Sequence, residues 1–586
     1  MLRSILRGSV GKLWLCLLLV IVYCVGWIVV DELQSSRLQA GFLSEYAQHL
    51  KFRVEPGPNP ALRFSHSGPY DERLGYSQIA GFQKRLTRED YAVVEQARLS
   101  PQLAELIDSG LFPPYREKEQ AGLDLLDCNN RPLYSVRFPE RVYERFEAVP
   151  PLLVDALMFI ENHELLDAEH PMRNPAVEWG RFAKAAVDQL RHIVDPSHET
   201  PGGSTLATQI EKYRHSPDGR TTSGKEKLRQ MASASVRAYL NGENTLATRR
   251  QIVVAYLNTV PLSARPGYGE INGLGDGLWA WYGRDFGEVN ALLKDDASRE
   301  ASDRLPGKAE AFKQALSLMI AQRRPTYYLG EDAEDLEQLT DSYLRLLAQS
   351  DVIAPALRDA ALAAKLNFRA DLTGQPPVSF ITRKAATTMR TALSGLLGVP
   401  RLYDLDRFDL TVGTTLNGDV QRAVTNVLRQ LKDPATAKSE GLYGFHMLSE
   451  GDNPDKLIFS FTLFERSDKA NMLRVQTDNF DQPFDINEGA RLDLGSTAKL
   501  RTLVTYLEII ADLHEHFAAI SREELSKVQV HRNDVLSRWA IDYLHDAEDR
   551  SLAAMLDAAM ARRYSANPAE TFFTGGGVQT FENFEP

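Results

Sequence analysis

Cysteine is scarce in this chain: three residues in 586, of which Cys16 and Cys24 share one apolar run. Cys128 has no partner outside that run, which excludes a disulfide framework. The histidines show neither H-x-x-x-H nor Cys-pair spacing, which argues against a structural zinc site. Basic charge is short too. With 67 Lys and Arg against 79 Asp and Glu, the net charge is −12, which argues against a nucleic-acid partner. No internal repeat or low-complexity tract is visible, so the length points to roughly two to four ordinary domains.

One long apolar run is present. Leu13–Val30, LWLCLLLVIVYCVGWIVV, carries no charge and is just long enough to span a hydrocarbon core. Arg3, Arg7 and Lys12 precede it, and Asp31 and Glu32 follow. The positive-inside bias leaves a short cytoplasmic tail and places the rest of the chain outside the inner membrane, on the periplasmic side. No small-x-small cleavage site follows promptly, and the run exceeds the core of a signal peptide. A single-pass, uncleaved anchor is therefore expected rather than a cleaved signal.

The pattern divides the chain into 1–33 (tail and anchor), 34–125 (linker and small helical module), 126–300, 301–400 (a helical linker region) and 401–586. The stretch Glu55–Asp71 is rich in proline and glycine, as a linker is. Gly122–Phe138 alternates around Asn129-Asn130 and reads as a hairpin leading into the next domain. From Pro150 to about Phe286 the signals are mostly helical, which predicts a mainly α domain. Phe408–Leu431 changes to strand, turn and amphipathic helix, and the runs KLIFSFTLF and NMLRVQT alternate. These announce an α/β or α+β domain.

Two features carry chemistry. The run Pro201–Lys212, PGGSTLATQIEK, reads as a loop feeding a helix, with Thr205, Gln209 and Lys212 at i, i+4 and i+7 on one face. A glycine turn, free helix-start N–H groups and a lysine suit an anion such as a phosphate, although an ordinary capped helix has the same pattern. The apolar helix LLVDALMFI ends in Glu161. Partial desolvation would raise the pKa of such a carboxylate toward that of a useful base, although many helices simply end in glutamate.

The run IENHELLDAEH resembles the first motif of the family 51 peptidoglycan glycosyltransferases. Glu161 matches the catalytic glutamate, Asn162 replaces the usual aspartate, Leu165 stands where an aromatic is usual, and His170 matches the motif's histidine after a short insertion. Gly203, Ser204, Thr205, Gln209 and Lys212 match the second motif. Tyr256-Leu257-Asn258, Pro266–Glu270 and Trp281-Tyr282-Gly283 are similar to the closing motifs, and Arg323–Tyr328 to the segment after the domain. The third motif departs from the pattern. Aligned on its apolar residues, it puts Glu226-Lys227 on the family's basic pair and Gln230 on its second glutamate. A glutamine cannot carry that charge, so a slow or silent enzyme is expected, with Gln230→Glu raising activity.

The resemblance implies a lysozyme-like α domain that joins lipid-linked disaccharide-pentapeptides (lipid II) into glycan strands. Glu161 would take the proton of the acceptor 4-hydroxyl. Lys212 and the helix N-terminus would stabilise the departing pyrophosphate, with Lys227 in the substrate-binding set. It implies no required cofactor, with Mg²⁺ or Mn²⁺ at the pyrophosphate as an optional addition. The implied partners are the membrane and a cell-wall synthesis complex, not nucleic acid.

Gly495–Leu500, GSTAKL, sets Ser496 and Lys499 three apart, where a desolvated lysine could serve as base for the serine. Together with TTLNGDVQ at Thr414–Gln421 it resembles the penicillin-binding transpeptidase domain, with Ser565 and Asn567 as the S-x-N element. The Lys-Thr-Gly element is absent, since Phe573 precedes Thr574-Gly-Gly. The expectation is thus a multidomain chain similar to a class A penicillin-binding protein, with an incomplete transpeptidase domain that lacks strands and exposes an unpaired edge: either the chain is a fragment of a longer protein, or this domain no longer acylates. Two rivals remain: a silent envelope scaffold, favoured by Asn162 and Gln230, and a lysozyme-like lytic enzyme.

Overall fold

The structure is a computed structural model that describes residues 2–63, 68–178, 204–294, 304–370, 380–468, 470–482, 484–491, 495–563, 567, 569, 571–574 and 577–580. It divides into two units, Met1–Gly489 and Ala490–Pro586.

The first unit opens on α1 (Leu2–Ser35), in which Leu17–Ser35 is long and apolar enough to cross a membrane and leaves its apolar side chains exposed, with Ser35 at its end buried. Ser36 ends it by adopting a left-handed backbone (φ 54°), and α2 (Arg37–Gln48) starts afresh. Glu32 caps the new helix, accepting from Leu38 N at 2.7 Å and Gln39 N at 3.0 Å. The break is also fastened from outside. Asn174 N donates to Ser36 Oγ at 3.1 Å, Asn174 Nδ2 donates to Gln39 and Ser235 at 3.0 Å each, and Arg173 Nε donates to the Gln34 carbonyl at 3.0 Å. The end of the apolar helix is thereby tied to the loop that follows Glu161.

Residues 34–125 do not form a purely helical module. They hold the antiparallel pair β1 (Phe52–Pro56) and β2 (Glu95–Leu99), with the short helix α3 (Pro69–Arg73) between them in sequence. Next, β3 (Leu123–Leu126) and β4 (Pro132–Ser135) form the hairpin expected around Asn129-Asn130.

The helical body begins at Pro151, which presets the first turn of α4 (Pro151–Glu161). The apolar sequence of this helix buries Leu153 and Leu157 completely. Thr205 caps α5 (Leu206–His215) in a reciprocal box with Thr208, and Ser223 caps α6 (Gly224–Ala238). Next come α7 (Leu246–Thr259), the hairpin β5 (Pro261–Arg265) and β6 (Gly269–Asn272), and α8 (Leu274–Tyr282). Gly273 opens α8 at φ 80°, where a Cβ would lie 2.3 Å from the Asn258 carbonyl oxygen, so only glycine fits.

The core does not stop at residue 300. Phe312 and Leu316 of α9 (Leu305–Ala321) share one apolar cluster with Leu157 of α4, and the cluster extends through α10 (Ala333–Gln349) and α11 (Pro355–Ala363) to Leu366. Lys313, fully buried in α9, binds Asp341 at 2.8 Å and Glu337 at 3.2 Å, locking α9 to α10.

A buried ion cluster fastens the N-terminal segment to this body. Arg214, His215 and Arg237 converge on Glu117 at 2.6–2.7 Å; His215 also meets Asp71 at 3.3 Å, and Arg237 meets Glu211 at 2.6 Å. Burial alone would raise the Glu117 pKa, but the three cations hold it well below the usual carboxylate range. Burial would lower that of His215, yet Glu117 and Asp71 lift it to about 9. Stability from His215 is therefore full below about pH 6.5 and fades as pH rises through 9. Removing one partner from such a cluster typically costs about 3–5 kcal/mol.

The β3–β4 hairpin pairs across the helical body in sequence, with a strand on its C-terminal side. In the order β4-β3-β7, β3 pairs in parallel with β7 (Leu410–Gly413) under α12 (Phe380–Leu397). After α13 (Gly418–Gln430) come the antiparallel strands β8 (Ser460–Arg466) and β9 (Asn471–Asp478). The outer edge of β9 is covered: Asn417 N donates to the Arg474 carbonyl at 2.9 Å, and Gln421 bonds both ways with the Gln476 backbone. Every residue of β8 is exposed, Phe461, Leu463 and Phe464 included, and among the described residues its outer edge pairs with no strand.

Among its described residues the second unit is mainly helical, and the strands expected from 401 onward lie largely in the first unit. α14 (Ala498–Phe517), α15 (Val535–Asp546) and α16 (Leu552–Ala561) pack around Ile510, Leu544 and Met555, and a hairpin, β10 (Thr571–Thr574) and β11 (Gly577–Thr580), comes after them.

Candidate active site

Glu161 is the last residue of α4, and its side chain is buried at the end of an apolar helix. Gln209 Nε2 donates to one carboxylate oxygen at 2.7 Å and Gln322 Nε2 to the other at 3.0 Å. Two amide donors thus fix the carboxylate as a positioned acceptor. Gln209 and Lys212 lie three apart on one face of α5, so the helix that orients Glu161 also delivers an ammonium group to it.

Burial lowers the pKa of Lys212, and the charge of Glu161 opposes the shift. Lys227, near the start of α6, is lowered by burial and then by Lys212, and its Nζ donates to Ser204 Oγ at 2.5 Å. Two partly desolvated cations therefore accompany one buried carboxylate. Tyr256 of α7 completes the group. Its pKa is raised by burial and then by Glu161, and its buried hydroxyl has no hydrogen-bond partner among the described residues. A buried hydroxyl normally has a partner, so Tyr256 is available to one.

The set can accept a proton at Glu161 and neutralise an anion at Lys212 and Lys227. It does not fit a protein-held metal ion: two ammonium groups repel a divalent cation, and Glu161 is the one carboxylate of the set. Among the described residues no group of three or more His, Cys, Asp or Glu could hold one.

Residues 129–349 match the Transglycosylase family model, a span that contains every member of this set. This is a peptidoglycan glycosyltransferase domain. No curated protein matches the chain. The transglycosylase match starts inside the β3–β4 turn and ends with α10, so it crosses residue 300 within the shared helical core.

Within the domain the sequence-predicted residues separate. Glu161, Gln209, Lys212, Lys227 and Ser204 come together. Thr205 instead caps α5, accepting from Thr208 N at 3.3 Å. Lys212 sits in the last turn of α5, not at its N-terminus; the lysine that reaches the N-terminal side is Lys227. His170 Nδ1 bonds Asp167 at 2.7 Å, and Arg249 donates to its carbonyl at 2.9 Å, so it shapes the loop after Glu161. Gly203 lies outside the described residues, as does Ser565.

Gln230 is fully buried but bonded elsewhere. Its Nε2 donates to Ser216 Oγ and Thr221 Oγ1 at 3.0 Å each, and its Oε1 accepts from Thr221 at 3.2 Å. The amide thus ties α6 to the end of α5, and a carboxylate there would lose both donations. Gln230→Glu is accordingly expected to lower stability by about 1–3 kcal/mol without raising polymerisation, the reverse of the sequence-based expectation. A urea melt with a parallel polymer assay checks it; a rise in activity would restore Gln230 to the catalytic set.

In the second unit, Lys499 Nζ donates to Ser496 Oγ at 3.0 Å, so the S-x-x-K pair does form. Both residues are exposed, however, so Lys499 is not desolvated as the sequence suggested. Gln322 and the Tyr256 hydroxyl were missed as functional groups. Gln322 directly precedes Arg323-Arg-Pro, the one signal that could have marked it.

Proposed function

We propose that the transglycosylase domain polymerises lipid-linked disaccharide-pentapeptide (lipid II) by inverting transfer at the surface of the membrane that α1 spans. The carrying observation is Glu161, held by Gln209 and Gln322 beside Lys212 and Lys227. Glu161 removes the proton of the acceptor 4-hydroxyl as that oxygen bonds to the anomeric carbon of the growing strand. The bond from that carbon to the pyrophosphate breaks on the opposite face, inverting the centre. Lys212 and Lys227 neutralise the departing charge, and Mg²⁺ or Mn²⁺ enters only as a counter-ion carried by the pyrophosphate. The ties from Arg173 and Asn174 to the end of α1 support a site close to the bilayer, where a polyprenyl tail keeps its substrate. The cation pair favours a pyrophosphate leaving group over hydrolysis by a lytic enzyme. The region from 401 onward is read as a transpeptidase-like domain that does not acylate as it stands; the exposed Ser496–Lys499 pair supports this.

Lys212→Ala should slow polymerisation about 10²–10³-fold. Lys294→Ala, at an exposed helix end, should change it less than about two-fold. Because burial lowers both site lysines, activity should also fall at a pH below the ordinary lysine range of about 10.4. Equal losses in the two variants would assign the effect to general surface charge and sink the reading.

A further inference from the structure

Next to the transglycosylase site lies a separate cavity of about 620 Å³. Three stretches build it: α3 and the residues just after it, the β5–β6 hairpin, and residues 401–408. It shares two walls with the active site. α5 gives Gln209 and Lys212 to the site and Tyr213 and Arg214 to the cavity, while the segment after α9 gives Gln322 to the site and Pro325 to the cavity.

Four arginines line it, and their partners differ. Arg214 is neutralised by Glu117 at 2.6 Å, and Arg401 by Asp404 at 2.8 Å. Arg73 and Arg407 have no ion pair among the described residues. Arg407 is buried, its guanidinium carbon 3.5 Å from the centre of the Tyr403 ring and 4.1 Å from that of Phe138, and among the described residues it donates to the carbonyls of Tyr403 and Tyr268. Tyr403 is itself fixed, accepting from Glu270 N at 2.8 Å. The lining carboxylates Glu72 and Glu270 are both exposed, and Glu140 and Asp406 act on Arg407 from a distance without forming an ion pair with it. Burial disfavours the charged form of Arg73, with Glu270 opposing and Arg214 adding to the shift.

Guanidinium groups without a direct ion pair, fixed in a cavity with tyrosine walls, suit a carboxylate on a polar polymer. We propose that this cavity holds the growing glycan strand beyond the transfer site, with Arg73 and Arg407 gripping a carboxylate of its peptide. This rests on the reading of the domain as a polymerase of peptide-bearing disaccharides. It adds that the strand is retained between transfers by its peptide rather than by its sugars alone.

The test has two arms, both on the full chain. In the first, a soluble tetramer of the disaccharide-pentapeptide is titrated, alongside the same tetramer with its carboxylates amidated and alongside inorganic pyrophosphate. The acidic tetramer should bind at least about tenfold more tightly than the amidated one. Arg73→Glu and Arg73→Gln should remove that preference, Arg73→Lys should retain part of it, and Arg358→Gln, on α11 outside the cavity lining, should change nothing. In the second arm, strands made by Arg73→Gln should be several-fold shorter on a gel. Thermal melts of each variant identify any that lose binding by unfolding, and Arg73→Gln then decides in place of Arg73→Glu. Equal affinity for acidic and amidated tetramers, or an Arg73-dependent site that takes pyrophosphate and not the tetramer, would overturn the proposal. A chain that binds the acidic tetramer through Arg73 but makes no polymer would instead refute the polymerase reading alone.

Discussion

Glu161→Gln is expected to reduce polymerisation by about 10²–10⁴-fold, the range for loss of a general base, with little change in folding. The substitution keeps the shape of the side chain and removes its ability to accept a proton. Gln209 and Gln322 now donate to the two carboxylate oxygens. With an amide at position 161, one of them can keep its bond and the other can turn its own carbonyl toward the new N–H. Stability should therefore stay within about 1 kcal/mol, the net worth of one hydrogen bond. Precursor turnover and a thermal melt on the same preparation separate the two effects. Near wild-type turnover would remove Glu161 from the mechanism and favour a scaffold that binds precursor without transferring it.

The second large effect concerns penicillin. Acylation of Ser496 requires a base, an oxyanion site and a wall that aligns the substrate. The first is sketched, since Lys499 reaches Ser496 at 3.0 Å, but both side chains stand in solvent, where a lysine keeps its proton, and neither group is aligned by a cleft wall among the described residues. Orientation of reacting groups can account for about 7–11 kcal/mol of a barrier. The chain is expected to form no stable adduct with labelled penicillin at concentrations that saturate a competent enzyme. Rapid stoichiometric labelling, lost in Ser496→Ala, would show that the domain acylates after all.

How much of this was legible in the sequence depends on the range of the interaction. Glu161 stood out because an apolar helix ended on it, and Gln209 with Lys212 because helical spacing puts them on one face. Both signals are local. Gln322 was not legible: it meets Glu161 only because α9 packs against α4 in one core, and periodicity does not say which helices share a core. For the same reason the boundary set at residue 300 fell inside a cluster joining Leu157 to Phe312. Glu117 sits in the run Tyr115–Gln120, YREKEQ, which looks like solvated surface. Three cations from α5 and α6 make it one of the most enclosed charges in the chain. Thr205 and Gln230 show the converse. Each matched a motif position, and each proved to be engaged in capping or tying a helix.

The most direct measurement is incubation of the purified full chain with lipid-linked disaccharide-pentapeptide in a bilayer or detergent, followed by separation of products by length. The account predicts glycan polymer with release of polyprenyl pyrophosphate, abolished in Glu161→Gln and strongly slowed in Lys212→Ala. Binding of the precursor with no polymer from the wild-type chain, or release of pyrophosphate with only hydrolysed monomer, would contradict it.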